Sequence, residues 1–231
     1  MAIKHYEGSL GIFDYDDTKF RLVKRYPTNQ EILQYFACDK YRIWPDTIIP
    51  KGIKDCSYMF ENCVELVLTP IIPDGVENCT GMFQNCKSLK ETSMMNFSVK
   101  NCSYMYRGCE SLTEVDAMPD SIEICEGMYA GCSSLNMPPY FIIPKKVKSC
   151  KYMFSKCTSL TTAENFIIPD NVEDCTKMFA GCISLVEPPI IPPTVKKCIW
   201  MFEDCKSMIT PPIIPLTVEN TYGIFDGCNF N

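Results

Sequence analysis

Histidine is almost missing from these 231 residues: His5 is the only one. A cysteine or serine nucleophile activated by imidazole would depend on that single side chain near the N-terminus, so nucleophilic hydrolysis of that kind has almost no material to work with. Zinc fails for the same reason and on spacing. No CxxC pair occurs, and the cysteines of each motif described below stand seven residues apart. Positive charge is also short. With 22 Lys and Arg against 28 Asp and Glu, the net charge is -6 and the pI near 4.9, which argues against direct binding to nucleic acid or an anionic membrane. No segment approaches the ~18 consecutive apolar residues of a membrane span. The opening MAIKHYEGSLGIFDYDD has no apolar core of signal-peptide length, so a cytosolic location is the expectation. No metal or other cofactor is expected.

What the chain has in abundance is cysteine, 16 in all, in a regular place. The motif CxxM(F/Y)xxC begins at Cys56, Cys79, Cys102, Cys125, Cys150, Cys175 and Cys198, and a degenerate copy begins at Thr221. Successive copies are 23 or 25 residues apart. A fixed period of ~20 to 50 residues marks a solenoid, whose units bury their apolar faces only by stacking on one another. Fourteen cysteines fall in the intact motifs, and Cys38 and Cys228 fill the second slot of imperfect first and last copies. None is left for a private role, so a buried ladder of reduced thiols is the leading reading. Disulfides between stacked units remain the alternative, because like positions on neighbouring coils would lie ~5 Å apart.

The consensus (D/N)CxxMFx(G/N)CxSLxxxPxIIPxxV divides into local structures. Asp55, Asn78, Asn101, Ser149, Asp174 and Asn220 precede the first cysteine and are helix-start types, with Ile124 and Lys197 as exceptions. Asn62, Asn85, Gly108, Gly131, Gly181 and Gly227 precede the second and accept left-handed geometry, with Lys156 and Asp204 as exceptions. Between such caps a single short helix or 3-10 turn is predicted, with Met59, Phe60 and their equivalents facing inward. The IIP segment predicts a strand of about three or four residues, cut short by Pro70, Pro73, Pro192, Pro215 and others that lack an N–H. The fold class expected is therefore an α/β solenoid, a leucine-rich-repeat-like right-handed coil of about eight to nine units.

The run SLxxxPxIIPxxVxxCxxMFxxC resembles the BspA-type, or treponemal, leucine-rich repeat, and its MFxxCxSL core is similar to the mycoplasma-lipoprotein-type repeat. The resemblance spans roughly residues 31 to 231. It implies an interaction or adhesion surface and carries no catalytic residues. The chain differs from that pattern in lacking a signal peptide or lipobox and in adding the first cysteine of each pair.

Residues 1–30 do not repeat and read as an N-terminal capping hairpin, with Leu10 to Tyr15 and Lys19 to Val23 as its strands. The solenoid is expected over 31–231, with a degenerate first unit at 31–55, regular units at 56–220 and a truncated last unit at 221–231. Thr28 and Glu31 predict a helix running through Ala37. At the other end Tyr222, Phe225 and Phe230 either fold over the last coil or meet another molecule, which raises a homodimer through the end of the stack.

The Met59 column reads as core rather than as a soft-metal or peptide surface. Carboxylates at Glu91, Glu114, Asp116, Glu164 and Glu187 lie on the strand side, where they serve a partner or simply solvate the face. A carbohydrate-active enzyme would need two of them paired across a groove. Around the two 25-residue spacings and the first IIP stand Trp44, Tyr140, Phe141 and Phe166, which either anchor a partner or cover a longer coil. The function expected is a non-catalytic scaffold for a protein partner, a cytosolic binding or inhibitor protein of bacterial or phage origin. A cell-surface adhesin-like module is the alternative.

Overall fold

A computed structural model describes residues 4–8, 11–15, 20–25, 49, 52–64, 66–92, 94–136, 141–164 and 166–230. Three strands, β1 (Lys4–Gly8), β2 (Gly11–Tyr15) and β3 (Phe20–Arg25), form an antiparallel sheet in the order β1-β2-β3. β2 and β3 are the two strands of the expected hairpin, in a register that pairs Phe13 with Leu22 and Tyr15 with Phe20. β1 is an addition to it, pairing Tyr6 with Phe13. The helix expected through Ala37 lies outside the described residues.

From residue 52 onward the chain winds through repeated coils, and one CxxMFxxC segment accounts for all of its N–H groups. Cys79, Gly81, Phe83 and Asn85 donate to the carbonyls of Asn101, Ser103, Met105 and Arg107 on the next coil, at 2.7 to 2.9 Å. Met82, Gln84 and Cys86 donate to carbonyls three residues back, those of Cys79, Gly81 and Phe83. Thr80 donates to the Asn78 side-chain oxygen at 3.1 Å. Buried backbone donors must find partners, and here they alternate between tight turns and the neighbouring coil.

This arrangement replaces the expected helix. Among the described residues of the stack there is no helix, and strand pairing shrinks to isolated parallel bridges such as Asp55 with Asn78 and Ile142 with Ile167. The physical reason lies in two left-handed residues per motif. The seventh position, Asn62, Asn85, Gly108 and their equivalents, has positive φ as its composition predicted, and Lys156 (61°) and Asp204 (57°) adopt it too. The third position is also left-handed, at Tyr58, Gly81, Tyr104, Gly127, Tyr152, Lys177, Trp200 and Gly223. A helix cannot pass through two such residues four apart. The helix-start residues keep their chemistry in another setting: Asp55, Asn78, Asn101, Asp174 and Asn220 each accept the N–H two residues on.

Packing between coils is column on column. Met82, Met105, Met128 and their equivalents are buried, as are the leucines of SL and Val76, Val147, Val172 and Val195, which close IIPxxV turns. Each such side chain is worth roughly 1.5–3 kcal/mol on burial. The aromatic beside each methionine forms a continuous stack, from Phe60 through Phe83, Tyr106, Tyr129, Phe154, Phe179 and Phe202 to Phe225, with centroids 5.5 to 5.9 Å apart. Phe230 meets Phe225 edge-on at 5.3 Å.

Phe141 and Phe166, candidates for partner contact, are 3% and 5% exposed. Their rings meet Tyr129, Phe154 and Phe179 edge-on at 5.5 to 6.0 Å. They take the slot that buried Pro70 and Pro189 fill in the 23-residue coils. These two aromatics therefore belong to the core.

Candidate functional site

The IIP dipeptide sets one isoleucine inward and the other outward, as extended backbone requires. Ile72, Ile143, Ile168 and Ile191 are buried, while Ile71, Ile142, Ile167, Ile190 and Ile213 are exposed by 54% to 90%. Met94 takes the same outward place in its coil. The outcome is a row of large aliphatic side chains along the strand side, interrupted at Ala117. Glu91, Glu114, Glu164 and Glu187 each stand three residues before a member of this register, at Met94, Ala117, Ile167 and Ile190. Glu114, Glu164 and Glu187 are exposed and Glu91 is half-buried. Asp116 accepts from the Thr92 hydroxyl at 3.1 Å and Glu187 from the Thr162 hydroxyl at 2.9 Å. Trp44 and Tyr140 lie outside the described residues.

The turn side carries a different surface. A groove of 710 Å³ runs across several coils between the third and seventh motif positions. Its walls include Tyr104, Arg107, Tyr152, Lys156, Lys177 and Asp204. Its floor is shallow because Gly108, Ala130, Gly131, Ala180 and Gly181 are small. Sequence reasoning missed this face. The signal was present in the third motif position, where Tyr58, Tyr104, Tyr152 and Trp200 recur in every second unit.

The cysteines offer no reactive group. None of the fifteen described cysteines is in a disulfide, and thirteen are buried, with Cys63 and Cys228 partly so. Burial pushes the thiols of Cys109 and Cys125 up to about 12, and Cys102, Cys132 and Cys157 well above the ordinary thiol range. The thiolate is the nucleophile and the metal ligand, so these groups are inert at neutral pH. No group of His, Cys, Asp or Glu that could hold a metal ion occurs among the described residues. The second cysteine has a role beyond filling space. Cys86, Cys109, Cys132, Cys157, Cys182, Cys205 and Cys228 each donate S–H to the carbonyl of the aromatic one coil back, at 3.1 to 3.3 Å. Each sulfur is thereby aimed at an oxygen.

The family model for the BspA type leucine rich repeat region matches in six copies over residues 31–161, 82–209 and 139–231. The chain belongs to this family. Solved structures of similar fold include a leucine-rich repeat protein of T. pallidum, 22% identical over 71% of this chain and 75% of that one, with a TM-score of 0.56. A leucine-rich repeat protein from Bacteroides ovatus is 16% identical over 94% of this chain, with a TM-score of 0.54. A leucine rich cell surface protein from Faecalibacterium prausnitzii is 20% identical over 82%, with a TM-score of 0.50. The chain spans 58% and 55% of the lengths of those last two. None of the curated proteins matches the sequence. The BspA-type fold sets the strand-side row and the turn-side groove on separate parts of each repeat, and among its described residues no helix is long and apolar enough to cross a membrane.

Proposed function

We propose that this BspA-type stack is a non-catalytic scaffold that binds another protein through its strand-side face. The aliphatic row from Ile71 to Ile213 carries the reading. Soluble surfaces scatter large apolar side chains singly, whereas a row recurring at one register, interrupted at Ala117, marks an interaction site. With Glu91, Glu114, Asp116, Glu164 and Glu187 on the same segments, a fitting partner carries an apolar strip bordered by basic side chains. Trp44 and Tyr140 remain proposed contacts.

The test replaces Ile142, Ile167 and Ile190 together with lysine. These side chains point away from the core, so circular dichroism and melting should be preserved. Partners captured from source cells by the unmodified protein should be lost with the triple variant. Capture of the same partners at the same level refutes the strand-side assignment.

We place the protein in a reducing compartment, as a cytosolic binding or inhibitor protein of bacterial or phage origin. The free thiols and their bonds to carbonyls support this. The alternative, a cell-surface adhesin-like module, draws support from the description of the Faecalibacterium relative. Ellman titration of the unfolded native protein separates the two: all 16 thiols titrate in the first case and few in the second. A homodimer through the end of the stack is a separate proposal, and light scattering that gives a monomer at every concentration removes it.

A further inference from the structure

Within the stack, alternate residues of each motif donate N–H toward the following coil, and the residue before each equivalent position there supplies the carbonyl. At the motif copy that begins with Thr221 the acceptors are missing. The N–H groups of Thr221, Gly223, Phe225 and Gly227 occupy the donating positions and find no acceptor among the described residues. Backbone donors left in line on an open edge are a template for another chain. The apolar columns are uncovered at the same place: Val218, Phe225 and Cys228 are half-buried where Val76, Phe83 and Cys86 are fully buried. Phe230 meets Phe225 only edge-on, and Tyr222 is 68% exposed.

What covers such a coil is visible inside the stack. Glu77, Asn78, Gly81 and Phe83 hold the same places in their coil as Glu219, Asn220, Gly223 and Phe225. Over that coil lies the segment 100–107. Its carbonyls at Asn101, Ser103, Met105 and Arg107 accept from Cys79, Gly81, Phe83 and Asn85 at 2.7 to 2.9 Å. The N–H groups of its Lys100 and Asn101 donate back to the Glu77 carbonyl at 2.9 and 3.2 Å. The Lys100 ammonium meets the Glu77 carboxylate at 2.7 Å, and the Tyr106 ring stacks on Phe83 at 5.6 Å. Each of these contacts has an unmet counterpart on the coil 219–228. Besides the four donors, the Glu219 carbonyl accepts no bond and its carboxylate meets no lysine among the described residues.

Charge and polarity together define the occupant. Two residues before the motif, lysine and glutamate alternate in every copy, from Lys54 and Glu77 to Lys196 and Glu219, so lysine is the residue that continues the series. An exposed ion pair adds little affinity, and its use is to set register. An ordinary β-strand alternates N–H and C=O along each edge and would turn donors toward this line of donors. Two copies of the line set against each other offer donors only. A segment bent like 100–107, with its carbonyls on one side, matches throughout.

We propose that the open face of the coil 219–228 is a docking site for a segment of another polypeptide built like residues 100–107, its carbonyls toward the donors, a lysine against Glu219 and an aromatic ring over Phe225 in place of Phe230. The test follows amide hydrogen exchange by NMR on the whole chain under reductant, with and without a synthetic peptide of residues 96–112. The control is the same peptide in reversed sequence. In the free chain Gly223, Phe225 and Gly227 should exchange at least tenfold faster than Gly81, Phe83 and Asn85, and saturating peptide should slow them at least tenfold. Glu219→Lys should weaken the peptide about threefold, and Lys100→Glu in the peptide should recover the loss. Protection of the three amides in the free monomer, no change with the peptide, or equal protection by the reversed peptide overturns the proposal. Affinity unmoved by either charge reversal overturns the lysine-bearing occupant. Protection that appears without peptide and grows with chain concentration overturns it in favour of a second copy of this chain. The strand-side lysine variant should bind the peptide as the unmodified protein does, so the two surfaces can fail separately.

Discussion

The buried thiol ladder makes the fold sensitive to alkali, and the effect can be sized. Burial raises twelve thiols from 9.0, Cys56, Cys109, Cys125 and Cys198 to about 12 and the others in the same direction, and the Cys63 side chain together with burial raises Cys86. In the unfolded chain the same groups ionise near 9.0. Below that pH both states hold the proton and the thiols are neutral to stability. Above it the unfolded state releases protons that the folded state keeps, so stability falls as pH rises. One thiol costs about 0.4 kcal/mol when pH equals its unfolded value and about 1.4 kcal/mol one unit higher. Thirteen together cost about 5 and then about 18 kcal/mol, against a total stability of ~5–15 kcal/mol for an ordinary domain. Half the effect would still be decisive. Circular dichroism and ultraviolet thiolate absorbance, followed together under reductant, should show one cooperative and reversible transition between about pH 9 and 10. A fold intact at about pH 11, or thiolate signal rising smoothly without loss of structure, refutes the buried ladder.

Gly127→Ala forces a Cβ into left-handed backbone against the Tyr104 ring, so it should lower stability by about 1–3 kcal/mol, and Tyr104→Gly in the same chain should restore part of it in denaturant melts. Phe166→Ala empties a core slot between Phe154 and Phe179 and should cost about 3–5 kcal/mol in the same assay, leaving partner capture by the folded fraction unchanged. Tyr106 buries a hydroxyl that has no hydrogen-bond partner while Phe83 fills the equivalent slot, so Tyr106→Phe should raise the melting midpoint, by the equivalent of about 1 kcal/mol.

How much of this was legible in the sequence depends on which residues carried it. The stack was legible because cysteine, methionine and an aromatic return together every 23 or 25 residues, and only burial in register explains that. The seventh motif position was legible because asparagine and glycine name left-handed backbone. The third was not, because tyrosine, lysine and tryptophan do not name it, and the glycines at 81, 127 and 223 look incidental until the coils are set side by side. Missing that position turned a run of turns into an expected helix. The strands failed in a milder way: prolines remove the donors that a ladder needs, and single bridges are what remains.

The outward faces follow the same logic. The carboxylates were placed on the strand side from the order of the consensus alone, but the aliphatic row beside them was hidden because Ile-Ile reads as one apolar unit. Only extended geometry splits it into one buried and one exposed residue. Phe141 and Phe166 misled for the opposite reason. An insertion in a solenoid need not put its aromatics on the surface, and here Phe141 and Phe166 are buried in the slot that Pro70 and Pro189 fill in the 23-residue coils. The large side chains left exposed belong to regular positions, the first isoleucine of IIP and, at Tyr58 and Tyr152, the third residue of CxxMFxxC.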